Sequence, residues 1–325
     1  MTRLRLAAVL CLLLQWTAFA AAEDYPSRPI TIIVPFAAGG PADAFARILG
    51  QHMQGTLGQP LVVENVTGAA GTLGVSRVVR ATPDGYTIGI GHLGTHVFNG
   101  ALYDLPYDLV NDLQPIAMLP SNVSVLIAKK SVPANDIPGL VAWLKANPDQ
   151  ASAATAGIGS VAHVASLYFQ KLTGVPLTIV PYRGGGAANT DVVAGNVTLF
   201  FDQVTGSSVQ QYQSGTVKPF AVAAKSRLAS LPSIPTVDEA GLPGLYVSTW
   251  YGFWAPKGTP PDIVKKLNGA VVAALADPDL RKKFEAMEAQ IPDPSQETPE
   301  ALAAFQKAEI AKWWPIIKAA NIKLE

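Results

Sequence analysis

A short apolar strand, a glycine-rich loop and an amphipathic helix follow one another four times in this chain, and few folds are open to a chain so patterned. The first unit is ITIIV (30–34), then FAAGGPAD (36–43), then a helix over 42–57 with Phe45, Ile48, Leu49, Met53 and Leu57 at helical spacing. Pro41 and Gly58 are its start and stop signals. The second unit runs from LVVE (61–64) through GAAG (68–71) into a helix over 73–80, and the turn PDG (83–85) leads to a strand over 86–90. About 115 to 120 residues later the order returns: strand 152–155, loop AGIGS (156–160), helix 161–172, strand 177–180, loop GGG (184–186), helix 187–193 and strand 197–201.

A β-branched run without alternation is a strand covered on both faces, so the expected sheets are parallel and sandwiched by helices. The expected fold is α/β: two similar doubly wound domains joined by a hinge of two crossovers. The first crossover is expected near residues 128–132, after a strand at 125–128, and a helix over 137–145 follows. The second half continues with a strand at 220–224 and a capping box, Thr236 with Glu239, opening a short helix. The aromatic segment 246–254 is β-like and carries the chain back; Trp250, Tyr251, Phe253 and Trp254 read as hinge core. Helices at 261–276, 278–289 and 299–320, each opened by proline, complete the first domain. The predicted division is 23–128 plus 251–325 for domain 1 and 129–250 for domain 2.

Residues 1–22 read as a secretory signal peptide: Arg3 and Arg5, an apolar run to Leu14, and small residues before a cut after Ala22. The run is too short to span a bilayer. The only cysteine, Cys11, lies inside it, so the mature chain is expected to hold neither a disulfide nor a thiolate ligand for a metal. Loss of Arg3 and Arg5 leaves 22 basic against 24 acidic side chains, without a basic cluster, so no nucleic acid is expected as partner.

Glycine loops that run into helix starts admit anions, because backbone N–H groups come close and the helix dipole favours negative charge. The candidate contacts are therefore Phe36, Ala37, Ala38, Gly39, Gly40 and Asp43 in the first domain, and Gly157, Gly159, Ser160 and His163 in the second. Asp43 is expected to cap or orient its loop rather than touch an anion, and His163 either to donate to a carboxylate or to cap and pack. Asp202 ends a strand at the side that should face the cleft, where it would either accept from a ligand hydroxyl, amine or protonated carboxyl or cap its loop; Thr95, in the segment after the third strand, is a further candidate contact. Asn65 and Arg183 flank the second loops, where they would close the cleft, with a solvated Arg183 as the equal alternative.

Other chemistry has little support. Gly89, Gly91 and Gly94 formally match a dinucleotide fingerprint, but no isolated acid follows at the required distance. No nucleophile elbow or phosphate loop occurs. His92 and His96 are spaced as a zinc pair would be, yet their glycines predict a loop, and neither metal nor cofactor is expected.

The motifs YPSRPIT (25–31), VPFAAGG (34–40), VVEN (62–65), PDGYT (83–87), LPYD (105–108), GIGSVAH (157–163), VPYRG (180–184), LPSIPT (231–236), APKGTP (255–260) and the pair Lys312, Trp313 cover essentially the whole mature chain. With them the sequence resembles the Bug family, the TctC-like periplasmic receptors of tripartite tricarboxylate transporters. The resemblance implies a monomeric two-domain flytrap in the periplasm that grips a small carboxylate with the amides and ordered waters of the two loops, presents it to a membrane permease and catalyses nothing. Signalling through a membrane kinase is the alternative, and the kind of carboxylate stays open. One loop departs from the family: its usual Asn-Arg-Pro-Gly-Ala-Gly-Gly is NVTGAAG (65–71) here, without the arginine.

Overall fold

The structure, a computed structural model, describes residues 24–182 and 184–320. The expected signal peptide with Cys11, and Arg183, lie outside the described residues.

The first lobe begins with β1 (Ile30–Val34), α1 (Pro41–Leu57), β2 (Leu61–Asn65), α2 (Thr72–Val79) and β3 (Thr87–His92). β1 lies between β2 and β3, parallel to both. Ile30, Ile32, Ile33 and Val34 are all 0% exposed, which explains the unbroken β-branched run. α1 turns Phe45, Leu49 and Met53 into this core and ends where Gly58 adopts a left-handed φ of 72°, a conformation that favours glycine.

After β3 the chain makes a π-helical turn, Gly94–Phe98, and continues into α3 (Asn99–Leu102). The loop expected here is thus helical, and the glycines serve packing. A Cβ on Gly91 would stand 2.0 Å from the His96 ring, and one on Gly94 2.6 Å from the His92 ring. This close approach accounts for the apparent nucleotide fingerprint.

β4 (Leu113–Lys129) is the backbone of the whole molecule. Its first part, from Leu113 to Val123, pairs antiparallel with β9 (Ser248–Pro256); its last part, from Ser124, pairs with β7 (Leu199–Gln203) and β8 (Val217–Val222). The change of sheet therefore falls at Val123 and Ser124, inside a continuous strand, and not near residues 128–132 as the sequence predicted. Pro115 and Pro120 lie within the two irregular stretches of the β4–β9 register, where a missing N–H is tolerated. The return path runs alongside: Ala223 N donates to Ser124 O, Ser124 N to Val247 O and Val247 N to Ala223 O, at 2.8 to 3.1 Å.

The second lobe contains α4 (Ile137–Ala146), β5 (Ser152–Thr155), α5 (Val161–Thr173), β6 (Thr178–Pro181), α6 (Gly185–Val193), β7, α7 (Gly206–Gln213) and β8. β5 is parallel to β6 and β7, so the unit of the first lobe is repeated. The Thr236 and Glu239 box is present in both directions, yet it closes a turn rather than a helix. Gly241, at a φ of 84°, and Pro243 stop the chain from continuing helically.

α8 (Pro261–Ala276), α9 (Pro278–Ala286), the short β10 (Ala289–Gln290) and α10 (Pro299–Ala319) follow β9. α8 packs on α1, and α10 lies along β4. Gln306 of α10, only 2% exposed, donates to His96 O and Leu109 O. Trp313 meets the Tyr168 ring of α5 edge to face, so the last helix touches both lobes.

Candidate functional site

The two lobes enclose a cleft of about 740 Å³. From the first lobe it is lined by the first glycine loop, His92 and Tyr251; from the second by the starts of α5, α6 and α7 and the end of β7; Ser124 and Thr249 form its floor at the hinge. Behind the hinge lies a wider groove of about 1030 Å³, lined by side chains of both charges, among them Lys225, Arg281, Glu285 and Glu288. The glycine loops open on the first cavity, so the chemistry belongs there.

Four helices begin on the wall of the cleft: Ala42 of α1, Val161 of α5, Gly185 of α6 and Ser207 of α7 all face it. A helix start presents unpaired N–H groups and a partial positive charge. α1 has no side-chain cap, because glycine occupies the cap position and proline follows. α5 is capped by Ser160, whose side chain accepts from His163 N. Among the described residues no lysine or arginine lines the cleft, and Asp202 is its only carboxylate.

The first loop is held by Asp43. Its Oδ2 accepts from Gly39 N and Arg47 Nε, both at 2.9 Å, and its Oδ1 from Asn65 Nδ2. The Arg47 guanidinium, with these other donors, holds the carboxyl down at about 2. Asp43 is 4% exposed and does not reach the cleft; Gly39 N is spent on it. In the second loop, Gly157 N donates to Thr155 Oγ1 and Gly159 N to His163 Nδ1, so both amides are occupied and His163 packs behind the wall. Thr95 is 0% exposed, its hydroxyl engaged with His92 and His96, and so it is not a wall residue. Of the residues predicted from sequence, Phe36, Ala37, Ala38, Gly40, Ser160 and Asp202 line the cleft together. Asn65 supports the first loop from behind.

Several residues of the wall escaped the sequence reading of the site, among them Asn189, His92 and Tyr251. His92, considered only as half of a zinc pair, ends β3 and stacks on Phe36 at 4.6 Å between centroids. Its Nδ1 accepts from Gly94 N and Thr95 N, which puts the proton on Nε2 and makes a neutral donor. Burial pushes its pKa down to about 4. Tyr251, read as hinge core, accepts from Gln203 Nε2 at 3.4 Å across the floor. The available signal was positional and concerned His92 alone, which lies at a strand end of an α/β sheet, where ligands bind.

Asp202 sits in the opposite wall, 6% exposed. Its Oδ2 accepts from Tyr212 OH at 2.5 Å and from Asn189 Nδ2 at 3.5 Å. Burial raises its pKa against the hydrogen bonds from Tyr212 and Ser208.

Residues 45–322 match the family described as "Tripartite tricarboxylate transporter family receptor". MatC of Rhodopseudomonas palustris, solved with bound malate, is 40% identical, with 90% of this chain and all of that one covered at a TM-score of 0.78. The periplasmic binding protein BugD is also 40% identical, with 93% and 100% covered and a TM-score of 0.77. A further R. palustris protein, solved with adipate, is 32% identical, with 92% and 99% covered and a TM-score of 0.79. With a family match over most of its length and such neighbours, the chain belongs to the TctC or Bug family of periplasmic binding proteins, which are receptors and not enzymes.

Proposed function

We propose that the protein is an extracytoplasmic receptor that captures a small carboxylate between its lobes and delivers it to the membrane permease of a tripartite tricarboxylate transporter. The observation that carries this reading is the convergence of four helix starts on a cleft without lysine or arginine among the described residues. Backbone dipoles and N–H groups then supply the positive potential, and waters bridge where an amide falls short. In this reading Phe36, Ala37, Ala38, Gly40 and Ser160 meet the carboxylate directly or through water, while Gly39, Asp43, Gly157, Gly159, His163 and Thr95 hold those groups in place. The signal peptide sends the chain to the periplasm, where it works as a monomer without a cofactor.

The lobes are the moving parts. The two bodies predicted from sequence, 23–128 with 251–325 and 129–250, change in this reading at their first boundary, which moves to the change of partner at Val123 and Ser124, so that residues 124–128 travel with the second body. A ligand touched by both bodies draws them together.

Thermal unfolding of the mature protein against a panel of carboxylates tests the reading, because a ligand bound only by the folded state raises stability by RT ln(1 + [L]/Kd). A selective rise in Tm confirmed by calorimetric titration is the expected result. No rise with any C4 to C6 acid, citrate or aromatic acid would refute it.

A further inference from the structure

The wall that carries Asp202 is built to accept. Asp202 brings the only formal charge among the described lining residues, and it is negative; the neutral His92 does not offset it. Asn189, on the same wall, turns its Nδ2 to Asp202 Oδ2. A carboxylate offers only acceptors, which favours this orientation of the amide across 3.5 Å, and it leaves Asn189 Oδ1 buried without a hydrogen-bond partner among the described residues. A buried acceptor without a donor costs free energy that a suitable ligand recovers. Tyr212 completes the arrangement by holding Asp202 from behind, so the carboxylate cannot swing away from the cleft.

Resting on the receptor reading, we infer that the ligand is an acid that also carries a hydrogen-bond donor, a hydroxyl or an ammonium group, and that Asp202 with Asn189 Oδ1 accepts from it. The acid end faces the starts of α1 and α5, where no free acidic side chain competes: α5 has none in its first turn, and Asp43 of α1 is bound to Arg47. A second bare carboxylate in place of the donor would meet Asp202 and Asn189 Oδ1 without a counter-charge among the described lining residues, and like charges at short range weaken binding. Asp202 and Asn189 thus set specificity, while the helix starts set the common requirement for an anion.

The test is a calorimetric titration of three matched series at C4, C5 and C6: plain diacids (succinate, glutarate, adipate), their 2-hydroxy analogues, and their 2-amino analogues. Wild-type protein should bind its best hydroxy or amino acid at least about tenfold tighter than the plain diacid of the same length, since a site built around a donor rejects the analogue that lacks it. Whichever of the two series binds identifies the donor as hydroxyl or ammonium. Asp202→Asn keeps the shape and an acceptor for Tyr212, and it should bring that ratio to within about threefold; Asn189→Ala should lower it in the same direction. Plain diacids that bind as tightly as their analogues would overturn the inference and leave the receptor reading intact, as would a preference unchanged in both variants. Failure of all nine acids to bind would overturn the inference, and it would overturn the receptor reading only if citrate and the aromatic acids failed as well.

Discussion

Asn65, the last residue of β2, donates from a single amide nitrogen to Asp43 Oδ1 and to Phe36 O, each at 2.9 Å. One side chain thereby ties the first glycine loop to the start of α1. Asn65→Ala removes both bonds and leaves Asp43, 4% exposed, with an unsatisfied oxygen. The expected cost is about 1–3 kcal/mol of stability. Ligand affinity should fall about tenfold as the loop loosens, on the scale of one lost hydrogen bond. Urea unfolding and calorimetric titration measure the two effects separately.

Asp43 itself gives an acid limb to stability. Its folded pKa, held at about 2 chiefly by Arg47, lies below the ordinary carboxylate value of about 3.9. The unfolded chain therefore binds a proton that the folded chain refuses, and the contribution is complete above pH ~4 and lost as pH falls towards 2. Asp43→Asn should remove this dependence: the gap in unfolding free energy between wild type and variant narrows from pH 5 to pH 2.

His92 and His96 produce a second limb, which begins at a higher pH. Burial lowers their pKa values to about 4 and about 3, so both rings are neutral in the folded protein. The unfolded chain takes up these protons below about 6.5, so stability declines as pH drops from there to about 4. His96, stacked on Trp254 at 3.9 Å, is the deeper of the two. Unfolding curves at pH 7, 6 and 5 should show the decline in wild type and a flatter profile in His96→Gln.

Much of this site was legible before the structure, and the division has a physical cause. β1 and the two glycine loops announce themselves through local composition, because a doubly covered strand and a tight turn each demand particular residues. β4 did not: prolines at 115 and 120 break its apolar pattern, although the register absorbs them as irregularities. α7 was missed because GSSVQQYQ has a weak apolar face, and only its Thr205 cap and the burial of Val209 and Tyr212 show why it forms. His92 was misjudged because its role depends on Phe36 and Tyr251, which are 56 and 159 residues away in the chain. A sequence displays what neighbours along the chain require; what converges from separate strands has to be seen.

Val161, the first residue of α5, separates helix stability from ligand binding. It is partly exposed on the cleft wall, and no acidic residue stands in that first turn. An acid there complements the helix dipole by about 0.3–1 kcal/mol, so Val161→Asp should hold or slightly raise the Tm. The same charge about 6 Å from a bound carboxylate repels it by about 3 kcal/mol at an effective dielectric near 20, roughly a hundredfold in affinity. Val161→Lys should reverse the second effect and forfeit the first. Equal affinities in the two variants would remove the anion from this end of the cleft.

Glu309 links the last helix to the hinge. Its Oε2 accepts from Trp250 Nε1 at 3.2 Å and from Trp313 Nε1 at 3.0 Å, and both indoles are nearly inaccessible, at 2% and 0% exposed. Glu309→Leu fills the space but leaves two buried N–H donors without a partner, at about 1–3 kcal/mol each. For a chain of this size that corresponds to a Tm lower by about 5–15 °C. Because Trp250 lies on β9 and Trp313 meets Tyr168 of the second lobe, the variant should also free the lobes to move. Small-angle scattering of the ligand-free variant should then give a larger radius of gyration than wild type, and added ligand should restore the compact form. A lowered Tm with unchanged scattering would confine Glu309 to holding the core together.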